Sequence, residues 1–359
     1  MDSIKEIYFL GSMTQNGFVT HFSKDVEDSE FTTYILKGGA GCGKSSLMKK
    51  VAKAFESDDD IAYFYCSSDP LSLDAIKLKK HKAIVLDGTS PHVFDPVYPG
   101  VCQKIINLGQ CWDEGKLKEN KDEIILTTDE NKKLHQRARR YITAISQLNG
   151  DIAKISEDMI LKEKLEAFIK RFAKKNFKRC GDKEGDIFYR QLSALTNEGY
   201  KTQFDTIKGC ERIFSLTDDM FSGSDRFIKG LSQTLASWGI DCIISPCALV
   251  NGGNYEHMLV PQYKTAFVTN SFLNKLRPRY NDTGIINFMR FYDKNTFLQK
   301  RQRINFSKKA VSELVDETHS TLIKAKSVHD DIERYYIDAM DFDKVNAIAD
   351  KIINEIENA

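Results

Sequence analysis

The chain has 359 residues, with 52 Lys and Arg against 51 Asp and Glu, and a formal net charge of +1. This balance excludes the overall positive field that draws a protein to nucleic acid or to an anionic membrane. No apolar stretch approaches the ~18 residues of a membrane span. The polar N-terminus does not resemble a signal peptide, and the eight cysteines contain no C-x-x-C pair that would indicate a zinc site or a disulfide framework. We therefore expect a cytoplasmic protein with reduced thiols, long enough for two domains.

Strands and helices are predicted to alternate along the first 130 residues. Apolar runs predict strands at 7–10, 33–37, 61–66, 83–86 and 123–126, and helical spacing predicts helices at 45–55 and near 101–108. Such alternation is typical of a doubly wound α/β fold with a parallel sheet. The run at 83–86 is apolar without interruption, as expected of a strand that is buried on both faces.

The octet at residues 38–45 reads G-x-x-x-x-G-K-S, the P-loop pattern, and it lies between a predicted strand and a predicted helix. Glycines let backbone N–H groups surround a phosphate without side-chain clashes, and the helix N-terminus adds partial positive charge. Lys44 is expected to reach the β- and γ-phosphates, and the Ser45 hydroxyl to bind Mg²⁺. The alternative is a glycine-rich turn that caps an ordinary helix. The predicted nucleotide ligands are Gly38, Gly39, Ala40, Gly41, Cys42, Gly43, Lys44, Ser45 and Ser46.

Asp87 ends the apolar run at 83–86, in the form of a Walker B strand whose acid holds Mg²⁺ opposite the P-loop hydroxyl. The alternative is a strand-end Asp that begins a turn with Gly88. No Glu follows Asp87, so the group that positions an attacking water must come from elsewhere. We predict catalytic roles for Lys44, Asp87 and Asp69, since Asp69 follows the strand after the P-loop helix. Other candidates, each also suited to a turn or cap, are Asp74, His92 and Asp95.

Two long charged stretches have a helical period. Residues 127–130 have the capping-box spacing T-x-x-E, and residues 131–175 predict a helical hairpin that is broken at 149–150. Residues 307–357 predict a second hairpin, broken near 341–343. Charged amphipathic helices favour plain structural packing, and the alternative is an arm for self-association, for partner binding or for nucleotide-driven movement.

Two groups of basic residues lie in the first helical stretch. Arg137, Arg139 and Arg140 are candidates for a lid over a γ-phosphate, although their spacing does not put all three on one helix face. The alternative is a solvated helix surface. The basic segment 170–179 is followed directly by acidic residues, so it gives no specific nucleic-acid signal.

The chain also resembles itself at a nearly constant offset. Residues 14–22 match 196–204 at an offset of 182, residues 105–117 match 285–297 at 180, and residues 151–167 match 331–347 at 180. Such self-similarity predicts two copies of one fold, residues 1–180 and 181–359, each with an appended helical hairpin. Lys44 falls opposite Asp225 or its neighbours, and no Gly-Lys-Ser occurs there. The strand at 265–269, opposite the Asp87 strand, has also lost the acid, which predicts a degenerate nucleotide site. The alternative is an unrelated α/β domain with a chance resemblance.

With these motifs, the chain resembles an uncharacterised family of bacterial ATPases with two tandem P-loop domains. The resemblance covers the whole chain and rests on the P-loop, on Asp87-Gly-Thr-Ser-Pro-His92, and on the segment Ile105-Ile-Asn-Leu-Gly-x-x-Trp112-Asp113. It implies a P-loop NTPase fold in both halves and no particular substrate. It also implies nucleotide ligands at Gly38, Gly43, Lys44 and Ser45. The chain departs from the two-site pattern because its second copy lacks the Lys and the Ser.

The sequence therefore predicts an ATP-binding protein with one intact site, a Mg²⁺-dependent ATPase that drives or gates a conformational change. Two alternatives stay open: a phosphotransferase that acts on a small molecule or a nucleotide, and an ATP-sensing scaffold that does not hydrolyse. The expected ligands are ATP and Mg²⁺, and a partner protein or a second copy could bind through the helical hairpins. A P-loop contacts phosphates rather than the base, so ATP and GTP both remain open.

Overall fold

The computed structural model describes residues 5–90, 93–181, 183–276 and 283–359, so His92 lies outside the described residues. In the first half the elements are β1 (Glu6–Phe9), β2 (Gly11–Thr14), β3 (Gly17–Thr20), α1 (Ser23–Val26), β4 (Thr32–Lys37), α2 (Lys44–Phe55), β5 (Ile61–Tyr65), β6 (Leu73–Leu78), β7 (Ala83–Asp87), β8 (Gln103–Asn107), α3 (Glu114–Glu119), α4 (Lys121–Met159) and α5 (Lys162–Asn176). In the second half they are β9 (Ile187–Tyr189), β10 (Ser193–Thr196), β11 (Gly199–Thr202), α6 (Phe204–Lys208), β12 (Arg212–Thr217), α7 (Ser222–Ala236), β13 (Cys242–Pro246), β14 (Tyr255–Val260), β15 (Thr265–Asn270), β16 (Gly284–Asn287), α8 (Lys294–Ala339) and α9 (Phe342–Glu357). Short 3₁₀ turns lie at Leu108–Cys111, Pro261–Tyr263 and Phe288–Phe291.

Twelve of the sixteen described strands form two six-stranded sheets with the same topology, and the other four form the hairpins β2–β3 and β10–β11. The first sheet has the order β1-β5-β6-β7-β4-β8, and the second has the matching order β9-β13-β14-β15-β12-β16. The element order thus occurs twice, as the internal sequence repeat predicts. In each sheet one strand, β6 or β14, is antiparallel to both neighbours, while the other pairings are parallel. The sheets are therefore mixed, where the sequence predicts wholly parallel ones.

Each sheet packs on helices with one face and on a shared core with the other. Side chains alternate along β4, so that Tyr34 and Leu36 lie in the cluster with α2 whereas Ile35 lies in a second cluster. That second cluster also receives Val268 and Leu259 from the second sheet. The prediction of doubly wound sheets is therefore confirmed only in part, because these faces pack on each other and on the short helices α1 and α6, through Val26 and Ile207.

The helices that end each half pack on the sheet of the other half. Leu165, Ile169 and Ala173 of α5 join the core that α7 forms with the second sheet. Val345 and Ile352 of α9 join the core that α2 forms with the first sheet. The long helices α4 and α8 pack along each other. This corrects the prediction that each half carries its own appended hairpin, because the terminal helices are exchanged between the halves.

The exchange is reciprocal, as in a twofold-symmetric dimer made from one chain. Trp112 pairs with Met340 through a β-bridge, and Tyr292 pairs with Ile160 at the equivalent place. Between the long helices, Arg137 meets Glu317, its equivalent at an offset of 180, at 3.2 Å. Such pairing of equivalent residues is the property of an isologous interface.

Two element predictions of the first half are wrong. Residues 101–108, predicted as a helix, contain β8, which pairs in parallel with β4. Residues 123–126, predicted as a strand, lie in α4, where the backbone N–H of Ile124 donates to Asn120 O at 3.0 Å. The side chains of Ile125 and Leu126 are exposed there. The helical period of the flanking charged residues outweighs the strand preference of this short apolar run.

The helix breaks were predicted with mixed success. The break near 341–343 is confirmed, since α9 begins there with Asp341 as its N-cap. Helix α4 instead continues through Asn149, whose side chain donates to Leu249 O at 2.7 Å. A Cβ on Gly150 would lie 2.9 Å from Cβ of Asn251, so this glycine permits close packing and does not end the helix. The predicted capping box is also inside α4, where the Thr127 hydroxyl donates to Glu123 O at 2.8 Å.

We expect that Ile352→Ala will destabilise the first sheet although it lies in the last helix of the second half. Ile352 is 2% exposed in the core with α2, so its truncation is expected to cost about 2 to 5 kcal/mol in the free energy of unfolding. Urea denaturation measures this cost, and native-state hydrogen exchange should report lost protection in α2. The matched control is Lys351→Ala, whose side chain is 78% exposed. Lost protection confined to α8 and α9, with α2 unchanged, would contradict the exchange of helices.

Candidate functional site

Residues 38–43 form a loop that joins β4 to the N-terminus of α2. Gly41 and Gly43 have φ values of +67° and +80°, a left-handed region that favours glycine. Lys44 is the first residue of α2, and no side chain caps this end of the helix. Cys42 is buried, and its Sγ lies 3.6 Å from Ala40 O. The loop therefore has the backbone that lets successive N–H groups turn toward one side, above a helix end with partial positive charge.

Lys44 and Asp87 meet at the carboxyl edge of two neighbouring strands. Strands β4 and β7 are parallel partners, so the loop after β4 and the end of β7 lie side by side. Lys44 Nζ is 3.5 Å from Asp87 Oδ2, and both side chains are nearly buried. Lys44 also donates to Gly38 O at 3.1 Å and to Gly39 O at 2.7 Å. The structure thus brings Lys44 and Asp87, both predicted from the sequence as site residues, together at the sheet edge where open α/β sheets bind ligands.

The other predicted ligand side chains lie around this pair. Ser45 Oγ accepts a hydrogen bond from the N–H of Leu73, at the start of β6, at 2.9 Å. Ser46 is exposed in the first turn of α2. Asp69 Oδ1 accepts from Leu71 N at 3.2 Å within its own turn, and Asp69 Oδ2 is 3.1 Å from Lys326 Nζ. Asp69 therefore acts as a turn residue and also contacts the second half.

The remaining candidates for a base are engaged elsewhere. Asp74 is buried in β6 beside Cys66, and burial first and Asp74 second raise the pKa of that thiol. Asp95 forms an ion pair with Lys37 at 3.1 Å.

The candidate lid arginines have partners on the long helices and on a hairpin. Arg137 binds Glu317, and its Nε donates to the Tyr141 hydroxyl at 3.1 Å. The Arg139 guanidinium lies against Gly17 in the β2–β3 hairpin, and Arg140 is exposed. These contacts favour a helix-packing role over a lid.

The sequence did not indicate that helix α8 of the second half would cover the loop. A Cβ on Gly39 would lie 2.9 Å from the Tyr336 ring. A Cβ on Gly41 would lie 2.7 Å from the backbone oxygen of Glu333. The glycines therefore also serve close packing against α8, a requirement independent of any phosphate.

A charged face of α8 continues along the site. Lys326 reaches Asp69 and also pairs with Asp330. Partial burial acts to lower the pKa of Lys326, but these ion pairs outweigh it and hold the pKa above its ordinary value. One turn further on, His329 Nε2 is 3.4 Å from Glu333 Oε1. The only sequence signal for this face was the helical spacing of its charges.

The equivalent loop of the second half is filled by its own carboxylate. Asp218 stands where the first half has Gly38, and its carboxylate accepts from Met220 N at 3.0 Å and from Ser224 N at 2.8 Å. The Tyr292 hydroxyl donates to the same carboxylate at 3.2 Å. Burial raises the pKa of Asp218, against the opposing effect of these hydrogen bonds. The loop N–H groups that a phosphate would need are thereby occupied.

Ser224 stands opposite Lys44, and Asp225 stands opposite Ser45. Asp225 Oδ1 accepts from Tyr255 N at 2.8 Å, the same strand-start contact that Ser45 makes with Leu73. Arg226, in the first turns of α7, is bound to Glu157 of α4, with Nε 2.9 Å from Oε2. The first turns of α7 therefore use Asp225 and Arg226 for packing against β14 and α4.

Glu256, the counterpart of Asp74, is a buried acid beside the second loop. Its Oε1 accepts from Asn274 at 3.2 Å, and its Oε2 accepts from the Tyr200 hydroxyl at 2.8 Å. Burial raises the pKa of Glu256 to about 7, against the lowering effect of both hydrogen bonds. Since unfolded glutamate titrates near 4.3, this group binds a proton more readily in the folded chain.

Comparison with protein-family models, with curated proteins and with solved structures finds no match for this chain. The described helices include none that is both long and apolar enough to cross a membrane. Within the described residues, no group of three His, Cys, Asp or Glu side chains is arranged to hold a metal ion.

We expect that Asp218→Ala will destabilise the second half. It leaves the N–H groups of Met220 and Ser224 without their buried acceptor, which is expected to cost about 2 kcal/mol or more in the free energy of unfolding. The neighbouring Asp219→Ala is the control, since Asp219 forms a partly exposed ion pair with Lys308, and its loss should cost less than about 1 kcal/mol. Chemical denaturation of both variants measures the difference, and equal costs would contradict the assigned role of Asp218.

We also expect Glu256 to make stability depend on pH. Its folded pKa of about 7 exceeds the unfolded value, so its contribution is fully present below about pH 4 and is lost as the pH rises toward 7. The loss amounts to up to about 3 kcal/mol. Glu256→Gln should flatten the fall in unfolding free energy between pH 5 and pH 7, roughly where the two states differ in bound protons. Denaturant titrations at several pH values test this, with the more exposed Glu198→Gln as control. Parallel pH profiles for wild type and Glu256→Gln would contradict the prediction.

Proposed function

We propose that the first half of the chain binds a nucleoside triphosphate with Mg²⁺, ATP in the first instance, and hydrolyses it at the loop of residues 38–45. The observation that carries the proposal is the meeting of Lys44 and Asp87, with Nζ and Oδ2 3.5 Å apart, beyond a loop with two left-handed glycines. A cation that contacts phosphates and an acid that faces their metal ion are the two side chains that a P-loop site needs.

The donors around the loop fit the phosphates of such a ligand. The N-terminus of α2 lacks a side-chain cap and has no acid in its first turn, so its N–H groups are available to an anion. Lys44 is held within reach of the loop by the carbonyl groups of Gly38 and Gly39. In this proposal, the backbone from Gly39 to Ser46 binds the phosphates, and Lys44 contacts the terminal ones.

The oxygen atoms of Ser45 and Asp87 fit a magnesium ion. Ser45 Oγ accepts one hydrogen bond from Leu73 and retains a second lone pair. Asp87 Oδ1 accepts from Thr89 N at 2.9 Å, while Oδ2 faces Lys44. Mg²⁺ usually takes one or two protein oxygens together with waters and substrate phosphates, and it would supply charge neutralisation at the phosphates. We assign the orientation of the attacking water to Asp69, which lies on the adjoining turn.

A second candidate function is nucleotide sensing without turnover. It is favoured by the packing of Tyr336 and Glu333 of α8 against the loop glycines, since a ligand at the loop would meet a helix that joins both halves. In that function the binding energy changes the contact of α8, and hydrolysis is not required. Binding with and without phosphate release distinguishes the two functions.

Lys44→Ala should lower the rate of phosphate release from Mg-ATP at least roughly a hundredfold, because the negative charge on the phosphates would no longer be stabilised by a buried cation. Lys53→Ala, on the exposed side of the last turn of α2, is the matched control and should keep full activity. Phosphate release and nucleotide binding are measured together for ATP and for GTP. Binding without release would support the sensor, whereas equal behaviour of wild type and Lys44→Ala would contradict both functions at this loop.

A further inference from the structure

The turn that contains Asp69 is attached to helix α2 of the first half. Within the turn, Asp69 Oδ1 accepts a hydrogen bond from Leu71 N at 3.2 Å. Helix α2 holds the turn at two points. Lys49 Nζ donates to Leu71 O at 3.0 Å, and Ser45 Oγ accepts from the N–H of Leu73 at 2.9 Å. The carboxylate of Asp69 therefore belongs to a turn that is fixed to the helix following the candidate phosphate-binding loop.

The second oxygen of this carboxylate is held by the other half of the chain. Asp69 Oδ2 is 3.1 Å from Nζ of Lys326 in helix α8, and the two side chains are 27% and 24% exposed. Lys326 also pairs with Asp330, one turn further along α8, and the preceding residue Ala325 is buried. The two oxygens of Asp69 thus have separate partners, a backbone N–H of its own turn and a cation from the second half.

The second half has the same contact between a long helix and a turn, but without this ion pair. At an offset of 180, Ser146 of α4 is equivalent to Lys326, and it is 1% exposed. The backbone oxygen of Ser146 accepts from Asn251 N at 3.1 Å, in the turn after β13. Asn149 donates to Leu249 O of the same turn at 2.7 Å. Neutral hydrogen bonds and close packing are therefore sufficient to join the helix to the turn.

The charged form of this contact lies beside the loop that carries Lys44 and Asp87. Stability alone does not account for the difference between the halves, because a partly exposed ion pair contributes little to stability. An orienting role does account for it. A charge-assisted contact fixes the direction of a carboxylate more strictly than a neutral contact does, and the orientation of an acid matters where a reacting water is to be placed.

We propose that Lys326, supplied by the second half, is the positioning residue for the carboxylate of Asp69. This inference rests on the proposed function, in which Asp69 orients the water that attacks the terminal phosphate of the nucleotide. The cation at Oδ2 and the N–H of Leu71 at Oδ1 together limit rotation of the carboxylate. Each carboxylate oxygen keeps a further lone pair, so the fixed group accepts a hydrogen bond from a water in a defined direction.

This role gives the second half a part in hydrolysis although its own loop is filled by Asp218. Other P-loop enzymes take a cationic side chain from a separate element or from a partner, and that side chain acts on the phosphates themselves. Lys326 differs because it acts through an acid of the first half. The maximal rate of hydrolysis then depends on the second half, whereas the affinity for the nucleotide does not depend on Lys326.

The first experiment measures the rate of phosphate release at saturating Mg-ATP and the dissociation constant for Mg-ATP. Lys326→Met keeps much of the aliphatic length and removes the charge, so it should lower the maximal rate roughly tenfold through loss of orientation. Its dissociation constant should change less than about twofold, because Lys326 does not contact the nucleotide. Lys326→Arg keeps a cation and should retain much of the rate. Lys324→Met, exposed on the same helix, is the matched control and should keep the full rate.

The second experiment asks whether Lys326 acts through Asp69. Asp69→Asn should lower the maximal rate by itself, because the amide no longer orients the water as the carboxylate does. Adding Lys326→Met to Asp69→Asn should then lower the rate by less than about a further twofold, since the group that Lys326 positions is already absent. If the two losses multiply in full, Lys326 acts on another group and the positioning role is wrong.

The outcomes separate this inference from the proposed function. If wild type releases phosphate, Lys44→Ala does not, and Lys326→Met keeps the full rate, the positioning role is wrong while the proposed function stands. If Lys326→Met and Lys326→Arg lower the affinity and the stability to urea as much as the rate, Lys326 serves packing and the inference is overturned. If wild type binds nucleotide without releasing phosphate, hydrolysis and the positioning role are wrong while the nucleotide site stands. Equal release by wild type and Lys44→Ala would overturn both.

Discussion

The exchange of terminal helices between the two sheets is the packing interaction on which the rest of the structure depends. Helix α2 turns Leu47, Val51 and Phe55 toward the first sheet, and α9 from the far end of the chain completes that core. Helix α5 does the same for the second sheet. Because neither sheet completes its helical face with its own half alone, the loop at the start of α2 necessarily lies at a junction between halves. The candidate site is therefore formed by the loop of the first half together with helices α8 and α9 of the second half.

The symmetry of this exchange makes the differences between the halves informative. The two loops have the same place in the fold, and residues 41 and 221 both have a positive φ. In the second loop that residue is Phe221, whose strained backbone is tolerated because its ring is buried against Phe272. Asp218 lies inside the second loop, and the Tyr292 hydroxyl accepts a hydrogen bond from Gly223 N. The same loop contacts α4, because Ser156 Oγ donates to Met220 O. The equivalent loop of the first half contains Gly41, Gly43 and Lys44, and it packs against the charged helix α8.

The sequence predicted the parts of this structure that depend on local signals. The strand and helix around residues 38–45 and the strand that ends at Asp87 are local. The antiparallel strand β6 was not predicted, because its six residues, with Asp74 second and Lys77 fifth, give no clear period. The helix exchange was not predicted either, since the apolar stripe of α5 or α9 could cover either sheet. For the same reason Glu333 and Lys326 were missed, as their site partners lie in the other half of the chain.

Two separate contacts join the candidate site to α8, one on each side of the loop. On one side, Gly41 of the loop packs against the backbone of Glu333. On the other, Ser45 holds the start of β6, whose preceding turn contains Asp69, the partner of Lys326. A phosphate on the loop would act on the first contact, and a metal ion on Ser45 would act on the second. Lys326 and Glu333 lie seven residues apart on one face of α8, so a single helix contacts both sides of the candidate site.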